Sequence, residues 1–308
     1  MKKFSFIIIL FFLQFTGLPQ QLKLNDEIPL DKTVLKGKLD NGLTYYIKEN
    51  KKPEHRAVFR LVVNAGSILE NDDQQGLAHL VEHMAFNGSK HFEKNDLINY
   101  IESIGMKFGA DLNASTSFDE TIYKLEVPTD NSEILEKAFF ITEDWAHNLT
   151  FDPLEIDKER GVVIEEWRLG RGADARMFDK QAPVLLKDSK YSKRLTIGKK
   201  EIIEKAPYET LKSFYYDWYR PDLMALIIVG DFDKNNIESL IKKHFSGIPP
   251  KANSRVREIF TVPDQDQMLF SIVTDPEATD NSISFYHKLD SEPQDKVKDY
   301  RRALVEIM

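Results

Sequence analysis

The sequence predicts a globular protein that combines helices with strands. Hydrophobic residues make up 42% and charged residues 30% of its 308 residues, a composition typical of chains with a packed core. Short apolar runs that read as strands are interspersed with longer segments whose apolar residues recur at helical spacing. A chain of this length is expected to form one large domain or two smaller ones.

Net charge and cysteine content exclude several classes of function. The formal net charge is −8 and the basic residues are scattered, whereas a surface that binds nucleic acid needs clustered Lys and Arg. We therefore expect no nucleic acid partner. The chain has no cysteine, which excludes disulfides, thiolate metal ligands and a cysteine nucleophile.

The N-terminus has the features of a secretory signal peptide at residues 1–20. Lys2 and Lys3 form a basic start, and residues 4–13 form an apolar run of the length found in such signals. This run is too short to span a bilayer, so no stable membrane insertion is expected after its removal. Residues 17–21 lack a clear Ala-x-Ala cleavage pattern, which leaves the cleavage site undefined and an uncleaved anchor as the alternative.

Two strands are predicted before the first helix. Residues 39–47 combine an Asn-Gly turn signal with an apolar continuation, and residues 57–66 are almost entirely apolar, which indicates a central strand. Residues 71–73 offer Asn and Asp side chains as N-caps for the helix that follows, and the Asn-Gly pair at residues 87–88 is expected to end it.

The helix predicted at residues 76–86 carries a His-x-x-Glu-His pattern, the inverted zincin signature. At about 100° per residue, His79, Glu82 and His83 fall on one face. Four apolar residues form the opposite face: Leu77, Leu80, Val81 and Met84. His79 and His83 can bind one zinc ion from this helix, and Glu82 lies where a general base would take a proton from water. A single helical histidine is more often structural, but two histidines and a carboxylate on one polar face favour a metal site.

A segment of small polar residues at 109–117 leads into an alternating strand at residues 121–127, after a helix predicted at residues 92–104. The small residues suit two alternatives. One is an edge strand to which a peptide adds by backbone pairing, and the other is an ordinary loop beside a solvated edge strand. The residues alone favour the loop.

Two longer helices follow at residues 132–149 and 153–168, the second with an Asp-Pro start. Glu159 and Glu166 are two helical turns apart and share a face, whereas Glu165 is turned away by about 100°. A catalytic zinc site needs three protein ligands, so a carboxylate of this helix is the candidate that completes the site. Spacing does not choose between Glu159 and Glu166, and no spacing favours the other five histidines.

The remainder of the chain is expected to complete one domain and to begin another. Residues 170–182 are rich in Gly, Arg and Asp and are predicted to be a mobile loop. A helix, a strand and a second helix are then predicted at residues 201–219, 225–231 and 234–245. After them come a Pro-containing linker, two runs that read as strands at residues 268–273 and 282–288, and a helix from Ser291 onwards.

Several motifs occur in the order found in the pitrilysin/insulinase family of inverted-zincin metallopeptidases. The sequence resembles the periplasmic branch of that family, whose members consist of two halves. The resemblance covers roughly residues 39–250 and continues more weakly to the end. Its landmarks are residues 76–88, residues 113–117, Glu159-Arg160 with residues 163–167, residues 219–221 and residues 229–231.

The resemblance implies an α+β fold in which helices cover a mixed, mainly antiparallel sheet, as in metallohydrolases that resemble the mitochondrial processing peptidase. It further implies a zinc-binding catalytic domain at residues 28–247, a linker at 248–256 and the incomplete start of a second, similar domain at 257–308.

Site residues are also implied by the resemblance. His79, His83 and Glu166 correspond to the ligands of one zinc ion per chain, and Glu159 corresponds to a carboxylate that orients a ligating histidine. Glu82 corresponds to the general base that activates water held by the zinc ion.

For Asn113 and Ala114 the resemblance implies an edge strand that holds the substrate backbone, which overturns the loop favoured by the residues alone. The implied function is a zinc-dependent endopeptidase that acts on peptides or unfolded polypeptide segments, in the periplasm or secreted. Family members act as two related halves, so we expect a second homologous half or subunit as a partner. The alternative is a non-catalytic peptide-binding or assembly subunit that retains zinc for its structure.

Overall fold

The computed structural model describes residues 22–288 and 294–307. The predicted signal peptide at residues 1–20 and the predicted start of the last helix at Ser291 lie outside the described residues. Of the helices in the described part of the chain, none is both long and apolar enough to cross a membrane.

Residues 32–284 are organised around a six-stranded sheet. Its strands are β1 (Val34–Lys38), β2 (Thr44–Glu49), β3 (Arg56–Val63), β4 (Leu112–Thr116), β5 (Thr121–Pro128) and β6 (Met224–Gly230). Their order across the sheet is β1-β2-β6-β3-β5-β4, and every neighbouring pair is antiparallel except β2 with β6. The predicted α+β class with a mixed, mainly antiparallel sheet is confirmed.

Strand β3 is central, as its apolar run predicts. It pairs with β5 on one side and with β6 on the other, and its alternate side chains are fully buried, namely Ala57, Phe59, Leu61 and Val63. Strand β4 lies at the edge of the sheet and pairs with β5. Residues 112–116 therefore form an edge strand and not a loop, and within the described ranges no strand covers the outer side of β4.

The described residues also form helices, of which the last lies outside the unit that contains the sheet. They are α1 (Leu77–Met84), α2 (Asp96–Ser103), α3 (Ser132–His147), α4 (Pro153–Leu169), α5 (Ala173–Leu185), α6 (Lys200–Lys205), α7 (Tyr208–Trp218), α8 (Lys234–Phe245) and α9 (Val297–Ile307). Helices α1, α3 and α8 contact strands of the sheet, and α1 also contacts α4, α6 and α7. The predicted Asp-Pro start of α4 is confirmed, because the Asp152 carboxylate accepts hydrogen bonds from the Leu154 and Glu155 amides at 2.8 and 3.3 Å.

The start of α1 differs from the prediction that residues 71–73 cap it. Its N-cap is Gly76, whose φ of 100° is a conformation that suits glycine. The carboxylate of Glu70 takes the capping role, since its Oε1 accepts hydrogen bonds from the Gly76 and Ala78 amides at 3.0 and 2.9 Å. The local pattern missed this cap because Glu70 lies outside the usual capping positions.

A buried arginine holds α4 against α6. Arg160 is only 6% exposed, and its guanidinium donates to the carbonyls of Ile203 and Ala206, the latter at 2.5 Å. Hydrogen bonds from a charged donor are stronger than those between neutral groups. Because Glu159 and Glu166 belong to α4, this contact also fixes the position of the two carboxylates.

The prediction of a mobile loop at residues 170–182 is wrong, because most of this segment belongs to helix α5. Ala, Arg and Met near its start are strong helix formers and outweigh the glycines that precede it. Arg176 of α5 also forms a bidentate ion pair with Asp275, with N–O distances of 2.6 and 2.8 Å. This ion pair attaches the helix to a later segment that lacks regular secondary structure.

The two strands predicted at residues 268–273 and 282–288 are also wrong, since both segments lack regular secondary structure. Their apolar side chains are largely exposed, as at Phe270 (78%) and Ile272 (94%). A strand needs a hydrogen-bonded neighbour to be stable, and the described residues offer none to these two runs.

Residues 1–31 and 285–308 make up a second unit, described here by its residues 22–31, 285–288 and 294–307. Within it the Val297 amide donates to the Asp26 carbonyl at 3.0 Å, and the Ile28 amide donates to the Asp295 carbonyl at 2.7 Å. A terminal helix is present as predicted, from Val297 to Ile307. The predicted domain boundaries, with a linker at 248–256, stay a prediction.

Glu70 should make the stability of the fold depend on pH. Burial raises its pKa from 4.5 to about 8, against the opposing effect of hydrogen bonds from the Ala78 and Gly76 amides. The folded state therefore binds more protons than the unfolded state between these values, and stability falls as the pH rises through that range. Glu70→Gln removes this titration, so the melting temperature of the variant relative to the wild type should increase between about pH 6 and about pH 8.5.

Thermal unfolding of the two metal-free proteins across this pH range measures the effect. Titrations common to both proteins cancel in the difference. A difference in melting temperature that stays constant with pH would contradict the role given to Glu70.

Candidate metal centre

Helix α1 has one packed face and one polar face, as its sequence predicts. The four apolar residues of the packed face are fully buried: Leu77, Leu80, Val81 and Met84. On the polar face the rings of His79 and His83 stand nearly perpendicular at 88°, with centroids 4.7 Å apart. Their Nε2 atoms are 3.2 Å apart. The two imidazoles therefore direct the same nitrogen towards a common point.

Glu166 of α4 supplies a carboxylate at this point. Its Oε1 lies 3.8 Å from His79 Nε2, and its Oε2 lies 3.4 Å from His83 Nε2. The ligand atoms of the three residues lie within 4.8 Å of one another. Ligands about 2.0–2.2 Å from a tetrahedral zinc ion are separated from each other by about 3.3–3.6 Å. Two histidines and a glutamate at these separations fit a zinc ion, and they are a ligand set known from catalytic zinc sites.

Glu159, the other carboxylate on this face of α4, contacts the His83 ring at Nδ1, the nitrogen that points away from the potential metal position. Its Oε1 is 2.8 Å from His83 Nδ1, and its Oε2 accepts a hydrogen bond from the Asn87 side chain at 2.9 Å. Asn87 also donates to the His83 carbonyl at 3.0 Å. The sequence indicated Asn87 only as a helix stop, although its position four residues after His83 could have indicated this contact.

Burial and charge affect the two histidines differently. Burial lowers the pKa of His79 to about 4, and the nearby His83 contributes in the same direction. Burial would also lower the pKa of His83, but the hydrogen bond and charge of Glu159 outweigh it and raise this pKa. The Nδ1 atom of His79 is buried without a hydrogen-bond partner among the described residues. His79 is therefore neutral at neutral pH, which is the form that binds a metal.

Glu82 is 7% exposed and lies beside the two histidines. Burial raises its pKa, while a hydrogen bond from Thr116 and the charge of His83 act in the opposite direction. The Thr116 hydroxyl donates to Glu82 Oε2 at 2.5 Å. A carboxylate whose pKa is raised from its usual value is suited to general base catalysis near neutral pH. The sequence indicated no role for Thr116, because its contact with Glu82 depends on where the edge strand meets α1.

These groups line one cleft of about 690 Å³. Strand β4 forms part of its wall with Asn113 and Ala114, and Phe86 and Phe108 contribute aromatic rings that pack edge to face at 5.3 Å. The cleft thus contains the three potential ligands, a potential base and an open strand edge. An arrangement of this kind can bind an extended peptide next to a metal ion.

The glutamate and two of the histidines that the sequence did not favour as ligands have other partners. Glu165 points away from the cleft and pairs with Arg168 at 2.5 and 2.8 Å. His91 bonds to the buried carboxylate of Asp144 at 2.8 Å, and His244 bonds to Glu143 at 2.8 Å. In these two cases the histidine joins neighbouring elements of the fold.

Comparison with known proteins gives two family matches. Residues 45–173 match the insulinase family model, peptidase family M16, and residues 205–302 match the model of the M16 peptidase inactive domain. Among curated proteins, the chain is 42% identical over 264 residues to the probable zinc protease PqqL of Haemophilus influenzae. It is 40% identical over 273 residues to a PQQL-like zinc protease of Arabidopsis thaliana.

These matches cover 85% and 88% of this chain, but it spans only 28% and 29% of the length of the two relatives. Among solved structures, the first half of the periplasmic protease PqqL from Escherichia coli matches with a TM-score of 0.74 and 36% identity, over 78% of this chain and 51% of that one. Pitrilysin matches with a TM-score of 0.64 and 25% identity, over 79% of this chain and 25% of that one. The chain therefore belongs to the insulinase family of peptidases, family M16.

Proposed function

We propose that this chain carries the active site of a zinc-dependent endopeptidase that hydrolyses peptides or unfolded polypeptide segments. The convergence of two histidines and Glu166 in one cleft with Glu82 carries the proposal. The names of the relatives, which include zinc proteases, support the same chemistry. Family M16 is a peptidase family, so the general class of reaction follows from membership, whereas the residues and substrate are our proposal.

In this proposal His79, His83 and Glu166 would hold one zinc ion per chain, each histidine through Nε2 and Glu166 through a carboxylate oxygen. Glu159 holds the ring of His83 through its Nδ1 atom, 2.8 Å away. A carboxylate in this position fixes the tautomer so that Nε2 carries the free lone pair. Asn87 in turn holds Glu159 at 2.9 Å.

When bound, zinc supplies a positive charge that acidifies water and polarises the scissile carbonyl. Glu82 removes the proton of the attacking water as the new C–O bond forms. It then delivers this proton to the leaving nitrogen as the peptide C–N bond breaks, so that the base is regenerated. Its small exposure keeps bulk water from competing for the proton.

The substrate is proposed to bind as an added strand along β4, where Asn113 and Ala114 lie in the wall of the cleft. The Ala114 amide donates to the side chain of Asn113 at 2.9 Å in the free protein. An incoming peptide carbonyl would take the place of that side-chain oxygen. Backbone pairing of this kind selects an extended conformation, which peptides and unfolded segments adopt more readily than folded proteins.

A second homologous half or subunit is the proposed partner. The chain spans 28% of the Haemophilus relative and matches the first half of the Escherichia coli protease. We further propose a periplasmic or secreted location, from the signal-like N-terminus and from the periplasmic location stated for the Escherichia coli protein.

Cleavage of fluorescence-quenched peptides tests the proposed activity. We expect turnover that zinc chelation abolishes and that zinc restores, measured with and without the polypeptide that supplies a second half. A protein that binds zinc but cleaves no peptide in either mixture would instead support the alternative of a non-catalytic subunit that retains zinc for its structure.

Glu82→Gln should abolish hydrolysis and leave zinc bound. Gln has the same shape but cannot accept the proton, so kcat should fall by about 100-fold to 10,000-fold. Peptide cleavage and zinc content by atomic absorption measure the two effects. A kcat within about tenfold of the wild type in this variant would exclude Glu82 as the base.

Glu166→Gln should weaken zinc binding more than Glu159→Gln does. Loss of an outer carboxylate lowers metal affinity by about 10-fold to 100-fold, and loss of a direct ligand should cost more. Glu165→Gln is the matched control, since Glu165 lies on the same helix and pairs with Arg168. Zinc competition titrations rank the three variants, and a larger loss in Glu159→Gln than in Glu166→Gln would reverse the assignment of the third ligand.

A further inference from the structure

The edge strand β4 ends at a residue that touches the proposed base. Thr116 is the last residue of β4, and its hydroxyl donates to Glu82 Oε2 at 2.5 Å. We infer that Thr116 is a positioning residue that orients the Glu82 carboxylate, an inference that rests on the catalytic role proposed for Glu82. It assigns a function to a residue for which the sequence indicated none.

A count of hydroxyl hydrogens supports this contact. Thr116 and Thr121 face each other across β4 and β5, with their Oγ1 atoms 3.4 Å apart. The Thr121 hydroxyl is fully buried and donates to the Ala65 carbonyl at 2.9 Å. Each hydroxyl has one hydrogen, so Thr121 has none left to donate to Thr116. The hydrogen of Thr116 is in turn committed to the much shorter bond with Glu82.

The hydrogen bond from Thr116 restricts the orientation of the buried Glu82 carboxylate. A carboxylate side chain has several rotamers, and its terminal torsion is broad unless a partner restricts it. With Oε2 held by Thr116, the other oxygen of Glu82 remains for proton transfer.

The position of Thr116 in β4 also relates the hydroxyl that contacts Glu82 to the strand edge proposed to bind the peptide. Ala114 and Thr116 are two residues apart, so their side chains lie on the same face of the sheet. Both line the cleft, and β4 contacts α1. One short strand therefore carries both the proposed pairing edge for the peptide and the hydroxyl that orients the base. Loss of the hydroxyl should impair proton transfer while leaving the backbone edge for the peptide in place.

Thr116→Val tests the inference, because it removes the hydroxyl and keeps the shape and the strand propensity. We expect kcat to fall by about 10-fold or more while KM changes by less than about twofold. Thr116→Ser restores a donor at the same position and should recover kcat to within about threefold of the wild type. Zinc content should equal that of the wild type in both variants.

Thr121→Val is the matched control in the facing strand. It removes a hydroxyl that bonds to the Ala65 carbonyl and not to Glu82, so it should lower the melting temperature and leave kcat unchanged well below that temperature. An equal loss of kcat in Thr121→Val would assign the effect to hairpin stability and overturn the inference. An unchanged kcat in Thr116→Val, or no recovery in Thr116→Ser, would overturn it too.

Crystal structures of the wild type and of the variants at Thr116 separate this inference from the proposed activity. Absence of peptide cleavage by the wild type, both with and without a second half, would contradict the proposed function but would not change the Glu82 rotamer seen in these structures. We expect Glu82 to keep one rotamer in the wild type and in Thr116→Ser, and to leave that rotamer in Thr116→Val. An unchanged Glu82 side chain in Thr116→Val would overturn the positioning role.

Discussion

The close approach of helices α1 and α4 is the constraint on which the site depends. The potential ligand atoms of the two helices lie within 4.8 Å of one another, so a displacement of either helix by about an ångström would spoil the geometry that a metal requires. Helix α1 is held in place by its buried apolar face, which lies opposite the two histidines. Helix α4 is fixed by Arg160, which bonds to two carbonyls at α6 and its C-terminal end. Glu159 then joins the two helices directly through His83.

Burial acts on both the proposed metal ligand His79 and the proposed base Glu82. It lowers the pKa of His79 to about 4 and raises the pKa of Glu82, since a charge of either sign is costly in a dry environment. A neutral imidazole offers its lone pair to a metal, and a carboxylate with a raised pKa binds a proton more readily. Orientation comes from polar neighbours, with Glu159 on His83 and Thr116 on Glu82. The fold thus contributes in two ways: burial lowers the local dielectric constant, and specific hydrogen bonds orient the side chains.

The sequence could predict features that depend on a single helix, and it failed where two distant segments meet. Helical spacing alone brings the three polar residues of α1 to one face, and they are found there. Spacing within α4 could not choose between Glu159 and Glu166, because the choice depends on how α4 crosses α1. Thr116 lies 34 positions from Glu82, so no local pattern contains their contact. The apolar run at residues 268–273 failed as a strand because apolar side chains do not provide the neighbouring strand that pairing requires.

An open strand edge is also a hazard, since two copies of a protein can join through such edges and aggregate. In β4 the side chain of Asn113 accepts the hydrogen of the next amide, Ala114, at 2.9 Å. This bond within the strand occupies the Ala114 N–H, which could otherwise donate to another chain. A peptide held close to the edge can displace one flexible carboxamide at little cost, because it replaces the bond that it breaks. The rigid strand edge of a second folded copy would also have to enter the cleft to reach β4. The edge should therefore pair less readily with another copy than with a flexible peptide.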